Sequence, residues 1–140
     1  MNILFKRLLT SKSGEGYIDV IVIIISAMLV IALAIKVFPV FIAKHQLNTF
    51  ASELCRTAEI EGQIGTETNK RIAELQIQIG IKPSLTWSGN YISGTQKIQL
   101  NNSIEVTVSH KEDIGLFGNF GSFPIMLTSR AGGRSEVYWK

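Results

Sequence analysis

Two acids, Glu15 and Asp19, stand four residues apart where the most apolar stretch of the chain begins. A carboxylate inside a lipid-facing helix costs about 2.5–3.5 kcal/mol on insertion scales. Asp19 lies at the boundary of the stretch, so its cost is smaller, and it falls again where a cation meets the carboxylate. The chemistry on offer is an ion pair between this carboxylate and a cation. The plainer reading is a pair of interfacial acids wetted by headgroups and water. The other reactive side chains are scattered. His45 lies on the polar side of a helical stretch and His110 at the end of a strand-like one, without His, Cys or carboxylate at ligand spacing, so no metal is expected. Cys55 is the single cysteine, which excludes a disulfide framework. It reads as a small buried apolar residue, with an intersubunit disulfide outside the cell as the alternative. Gly115, Gly118 and Gly121 recur every third residue, but no Lys-Ser/Thr follows and no strand-then-helix surrounds them. They read as a loop whose Leu116, Phe117, Phe120 and Phe123 pack on the sheet or on a partner. No serine sits in a nucleophile elbow, and the acids form no catalytic pair. The expectation is a non-enzyme with no cofactor and no small-molecule substrate.

The elements that would position these residues begin with an anchor. Val20 to Ile35 is a run of sixteen residues with one polar member, Ser26. About 20 apolar residues suffice for a helix to cross the hydrocarbon core. The run is rich in β-branched residues, yet a lone strand leaves its backbone unsatisfied in lipid, so a helix is expected. A buried core helix is the soluble alternative, but nothing else in 140 residues could wrap so apolar a cylinder. The helical period continues through Val40, Ala43, Leu47, Phe50 and Leu54 to an end marked by Gly62 and Gly65. One helix is therefore expected from Tyr17 to Glu61, apolar all round and then amphipathic, with a kink at Pro39. A second helix should start at a Thr66 cap, carry Ile72, Leu75 and Ile79 on one face, and end at Gly80 before Pro83. Glu67 and Arg71 are spaced to pair along it. From Ser84 the period changes to two. Strands are expected at Leu85–Trp87, Ile98–Leu100, Ile104–Val108 and Pro124–Arg130, with a last candidate at Val137–Trp139. Asn101-Asn102-Ser103 reads as a hairpin joining the second and third. Lys111, Glu112 and Asp113 read as a solvated turn. The fold class is α+β: a long N-terminal helix, a short helix and a small antiparallel sheet of three or four strands.

Charge divides the chain in the same way. Lys6, Arg7 and Lys12 give residues 1–14 a charge of +3, which is the whole formal surplus of the chain. The basic balance thus belongs to the leader and argues against a nucleic-acid partner. It also favours a cytoplasmic N-terminus, with the C-terminal domain outside the cell. Ala32-Leu33-Ala34 fits a small-residue signal-peptidase site, which offers cleavage before Ile35 as an alternative.

A basic leader ending in Gly14, an acid at Asp19, the fifth residue counted from Glu15, and a long apolar helix form one motif. In these features the chain resembles the type IV pilin superfamily, whose leaders end in glycine and whose mature helices carry an acid at that position. The layout looks most like the TadE-like pseudopilins of tight-adherence systems and a related Firmicutes family carried beside such machinery. The tail Gly133-Arg134-Ser135-Glu136-Val137-Tyr138-Trp139-Lys140 is similar to the tail of that family. The resemblance implies a pilin-like fold and removal of the leader 1–14 by a prepilin peptidase, between Gly14 and Glu15. It implies that Asp19 pairs with the new amino terminus of a neighbouring subunit, and that Pro39 lets the helix bend or melt during assembly. The regions would be a transmembrane helix at 15–38, its amphipathic continuation at 39–61 and a small extracytoplasmic domain at 62–140. The partners would be the membrane, the peptidase and other pilin-like subunits, in a Tad-type pilus, secretion or conjugation apparatus. The alternative function is a membrane-anchored binding module whose helix is only a tether.

Overall fold

The computed structural model describes residues 15–115 and 121–140. The leader 1–14, with Gly14, and the loop residues 116–120 lie outside the described residues. The architecture is α+β. Helix α1 spans Glu15–Glu61, α2 spans Thr66–Ile79, and three strands follow: β1 (Ser84–Gly89), β2 (Ser103–Ile114) and β3 (Phe123–Arg134). The 47 residues of α1 make a rod about 70 Å long. It continues through Pro39 without ending there. It stops at Gly62, whose left-handed backbone (φ +62°) returns its N–H to the Ala58 carbonyl at 2.9 Å. Such a reversal satisfies a terminal carbonyl that has no donor of its own.

The start of α2 differs from the Thr66 expectation. Gly65 occupies the cap position and no side chain caps the helix. The threonine that matters is Thr68, fully buried, whose Oγ1 donates to Glu61 Oε2 at 3.0 Å. It ties α2 to the last residue of α1. The far end agrees with expectation: Gly80 is left-handed and its N–H reaches the Gln76 carbonyl at 3.0 Å. Arg71 pairs with Glu53 of α1 and Glu74 of α2 rather than with Glu67. The long guanidinium bridges two helices in contact, an option hidden from spacing along one helix.

The sheet is an antiparallel meander, β1-β2-β3. It departs from the sequence reading in three ways. Ile98–Leu100 is not a strand. Ile98 is fully buried and makes one bridge to Tyr91, whereas Leu100 is exposed. The N–H of Ile98 donates to the Gly62 carbonyl at 2.7 Å, so its partner is the end of α1. Consequently the turn at Asn101-Asn102-Ser103 does not join two strands. Its left-handed Asn101 leads into β2 and pairs with the C-terminal tail, Asn101 N–H to the Ser135 carbonyl at 2.8 Å. Lys111, Glu112 and Asp113 are strand residues, paired with Met126, Ile125 and Pro124. Lys111 and Asp113 stand on the wet face of the sheet, whereas Glu112 is half-buried on the other face beside His110. Val137–Trp139 lies outside the strands.

One core holds the molecule together. Ala43, Leu47, Phe50, Leu54 and Ala58, the inner stripe of α1, lie on Ile104, Val106, Val108 and Leu127 of the sheet. Leu75 closes one side from α2, with Ile72 and Ile79 half-buried beside it. The stripe has helical period and β2 alternates with period two, so each presents one continuous apolar face. Ser129 is buried in this interface, and its hydroxyl donates to Asn48 Oδ1 at 2.7 Å. Among the described residues no buried side-chain nitrogen or oxygen lacks a partner.

Candidate functional site

The second half of α1 is the floor of the head, and the first half packs against no other element among the described residues. Every residue from Tyr17 to Lys36 is exposed. The most apolar window of the helix is 0% buried within the fold. The large side chains are bare on all sides, from Ile18 (62%) to Val30 (62%) and Ile35 (65%). The helix is long and apolar enough to cross a membrane. Its one polar member within the run is satisfied internally: Ser26 Oγ donates to the Val22 carbonyl at 2.7 Å. That bond removes the cost of an unpaired hydroxyl in lipid.

The expected assembly residues sit at the free end of this surface. Glu15 is the first residue of α1. Asp19 is exposed one turn later and has no ion pair among the described residues. Gly14, the expected cleavage position, lies outside the described residues. Pro39 stands where the bare half gives way to the packed half, between half-exposed Val37 and Val40. Its missing N–H leaves the Ile35 carbonyl without the usual donor four residues on. Cys55 is free, 4% exposed and part of the core. Burial, then the charges of Glu59 and Glu105, push its thiol up to about 11. It is an inert apolar residue in this fold, and an intersubunit disulfide would require this face of α1 to open.

A second constellation fixes the helix to the head, and its partners Glu59 and Gln99 were not among the residues the sequence singled out. The C-terminal tail folds back on the end of α1. Glu59 Oε1 accepts the Arg134 N–H at 3.0 Å, and its backbone carbonyl accepts the Glu136 N–H at 2.9 Å. Arg56 reaches Glu136 at 2.6 Å and Glu59 at 3.1 Å, and these hydrogen bonds favour its charged form. Gln99 clasps the main chain of Trp139 from both sides, Nε2 to its carbonyl at 2.8 Å and Oε1 from its N–H at 2.7 Å. The indole N–H donates to the Gly62 carbonyl at 3.1 Å, while Lys97 sits 4.1 Å over the ring. Gly133 can lie against Glu59 because it has no Cβ; one there would overlap the carboxylate. The paired glycines Gly132-Gly133 were the one sequence signal of this close approach.

The head carries open surface grooves. One of about 450 Å³ runs past Ser88, Glu105, Gly132 and Arg134, and another of about 370 Å³ lies beside Trp87, Tyr91 and Ile92. Neither is lined by a histidine or cysteine beside an acid. His110 contacts Glu112 at 3.3 Å on the inner side of β2. No group of three or more His, Cys, Asp or Glu is placed to hold a metal among the described residues.

No curated protein and no solved structure matches the chain. A family model described as a domain of unknown function, DUF4320, matches residues 24–140. The match begins inside the bare half of α1 and runs through the packed half, the sheet and the clasped tail. The chain therefore belongs to the DUF4320 family.

Proposed function

We propose that this chain is a pilin-like or pseudopilin subunit of a Tad-type pilus, secretion or conjugation apparatus, assembled through its N-terminal helix. The observation that carries this reading is the division of α1. One continuous helix has its second half built into the core of the head and its first half bare from Tyr17 to Lys36. A rod of that kind keeps the head at a set height and orientation relative to whatever surrounds its apolar end. Lipid surrounds it in the monomer, and other helices of the same kind surround it in an assembly. Asp19, exposed at the free end, supplies the register. Removal of residues 1–14 by a prepilin peptidase would leave an α-ammonium on Glu15, a group with an ordinary pKa of about 8. Pairing with Asp19 of a neighbouring subunit lowers the cost of that carboxylate near lipid. The head then faces outward and makes lateral contacts, with no chemistry of its own.

Two variants test the reading. Gly14→Leu should block processing and leave a larger product on a gel. A product of unchanged size sinks the processing step, and a mature chain beginning at Ile35 would establish signal-peptidase cleavage instead. Asp19→Ala should leave the monomer in the membrane but keep it out of the assembly. If incorporation and function survive, the helix is a tether and the chain is a membrane-anchored binding module.

A further inference from the structure

The β2–β3 hairpin does not stop where the rest of the head stops. β1 pairs with β2 only as far as Ser84–Ser109. β2 and β3 continue together from His110–Leu127 to Ile114–Phe123. Three contacts set the direction of this extension. The Arg134 N–H meets Glu59, Ser129 meets Asn48, and Lys44 Nζ donates to the Thr128 carbonyl. Residue numbers fall together along β3 and α1, so the free end of the hairpin points toward the bare half of the helix. The spacing is consistent. Five strand residues from Arg134 to Ser129 and eleven helix residues from Glu59 to Asn48 each span about 17 Å. Six more strand residues to Phe123 add about 20 Å, which is about thirteen helix residues. That brings Phe123 level with the stretch from Ile35 to Phe38, where a helix entering lipid near Val20 has its outer exit.

The side chains change character at the same level. Higher on the sheet the exposed positions are Thr128, Arg130 and Glu105. At the end of the extension β3 exposes Phe123 (53%), Pro124 and Met126 (64%), with Lys111 and Asp113 of β2 exposed beside them. On α1 at that height Phe38 (65%) and Phe41 (69%) are also bare. Lys111 stands opposite Met126 in the register, and Lys36 flanks the helix exit, with stems long enough to keep their ammonium groups among headgroups. Apolar tips with a polar rim, Lys111 and Asp113 here, at the height of a membrane exit are suited to the headgroup layer of a lipid surface.

We propose that Phe123, Pro124 and Met126 enter the outer headgroup region, giving the head a second membrane contact beside α1. Two contacts, one at the helix and one at the hairpin end, hold the head at a defined rotation about the helix axis. The inference rests on α1 crossing the membrane, and the experiment separates the two. Nitroxide labels are placed through Phe123→Cys and Met126→Cys in the full chain, in vesicles of phosphatidylethanolamine and phosphatidylglycerol at low protein density. Leu29→Cys reports the helix and Glu105→Cys the outer sheet. Cys55 is buried, and the unsubstituted chain measures its labelling background. Collision with oxygen, which concentrates in lipid, is compared with collision with a water-soluble nickel chelate. The oxygen-to-nickel ratio at residues 123 and 126 should exceed that at residue 105 several-fold and fall below that at residue 29. A lipid-like ratio at 29 with a water-like ratio at both 123 and 126 overturns the second contact while leaving the span intact. Protection from both reagents that disappears on dilution with lipid also overturns it, because a second copy of the chain then covers the patch. A water-like ratio at 29 removes the span itself, and the second contact with it.

Discussion

At Gly62 three demands meet in one residue. The backbone is left-handed, the carbonyl accepts both the Ile98 N–H and the Trp139 indole, and the tail passes close by. A Cβ there would stand 2.6 Å from Val137 Cβ and 2.9 Å from Ser135 Oγ. Left-handed backbone costs a substituted residue about 1–2 kcal/mol, and overpacking adds about 1–3 kcal/mol. Gly62→Ala should therefore lower stability by about 2–5 kcal/mol, read as a lower denaturant midpoint for the full chain in detergent. Gly80→Ala, where nothing lies within 4 Å of the added Cβ, should show only the conformational part. Equal losses at the two positions would refute the steric argument. Cys55 gives a pH prediction. Its thiol goes from an ordinary 9.0 to about 11 on folding. As pH rises through that window the unfolded chain releases the proton first, so stability falls between the two values. Cys55→Ala removes this slope, so the gap between the two chains should narrow as pH rises toward 11. A constant gap would mean that the thiol is not desolvated.

At the scale of elements the two halves of α1 obey different rules. Phe50 and Leu47 are fully buried against the sheet, whereas Leu29 is 54% exposed. Phe50→Ala removes a large side chain from the core and should cost about 3–5 kcal/mol. Leu29→Ala should leave unfolding of the head within about 0.5 kcal/mol of the parent. Denaturation followed by the fluorescence of Trp87 and Trp139 reads both. A large loss from Leu29→Ala would show that the bare half is coupled to the head. The same division explains Pro39. Backbone hydrogen bonding within the helix holds the bare half despite its β-branched residues, while tertiary packing holds the other, and the proline falls at the change.

At the scale of the whole molecule the head is closed by its last residues. Trp139, clasped by Gln99 and bonded to Gly62, brings the C-terminus to the end of α1. Trp139→Ala should cost about 2–3 kcal/mol through lost packing and the lost indole bond to the Gly62 carbonyl, since the Gln99 bonds reach only the main chain and survive. The ion pairs nearby contribute far less. Arg56 and Glu136 are 57% and 54% exposed in their side chains, so solvent screens them. Raising salt to about 1 M should shift the unfolding midpoint only slightly, because the Debye length falls to about 3 Å. A large shift would transfer the closure of the tail from Trp139 to the charges.

The sequence by itself determined the elements with a long uniform signal. The apolar run from Val20 to Ile35, the stripe Ala43–Leu47–Phe50–Leu54 and the caps at Gly62 and Gly80 are legible because backbone period and steric freedom act locally. Strand boundaries were less legible. The alternation of Ile98 and Leu100 looks like a strand only while the partner of Ile98 is unknown, and that partner is the end of α1, 36 residues earlier. Lys111-Glu112-Asp113 looks like a turn only while its pairing with Met126, Ile125 and Pro124 is unseen. The tail clasp was invisible for the same reason: Glu59, Gln99 and Trp139 are ordinary residues until folding brings them within hydrogen-bond reach. The expected functional residues Gly14, Glu15 and Asp19 were read wholly from local pattern. Tertiary structure alone decided which strands the amphipathic half of α1 meets, and how far the hairpin descends beside it, because both depend on contacts between residues distant in the chain.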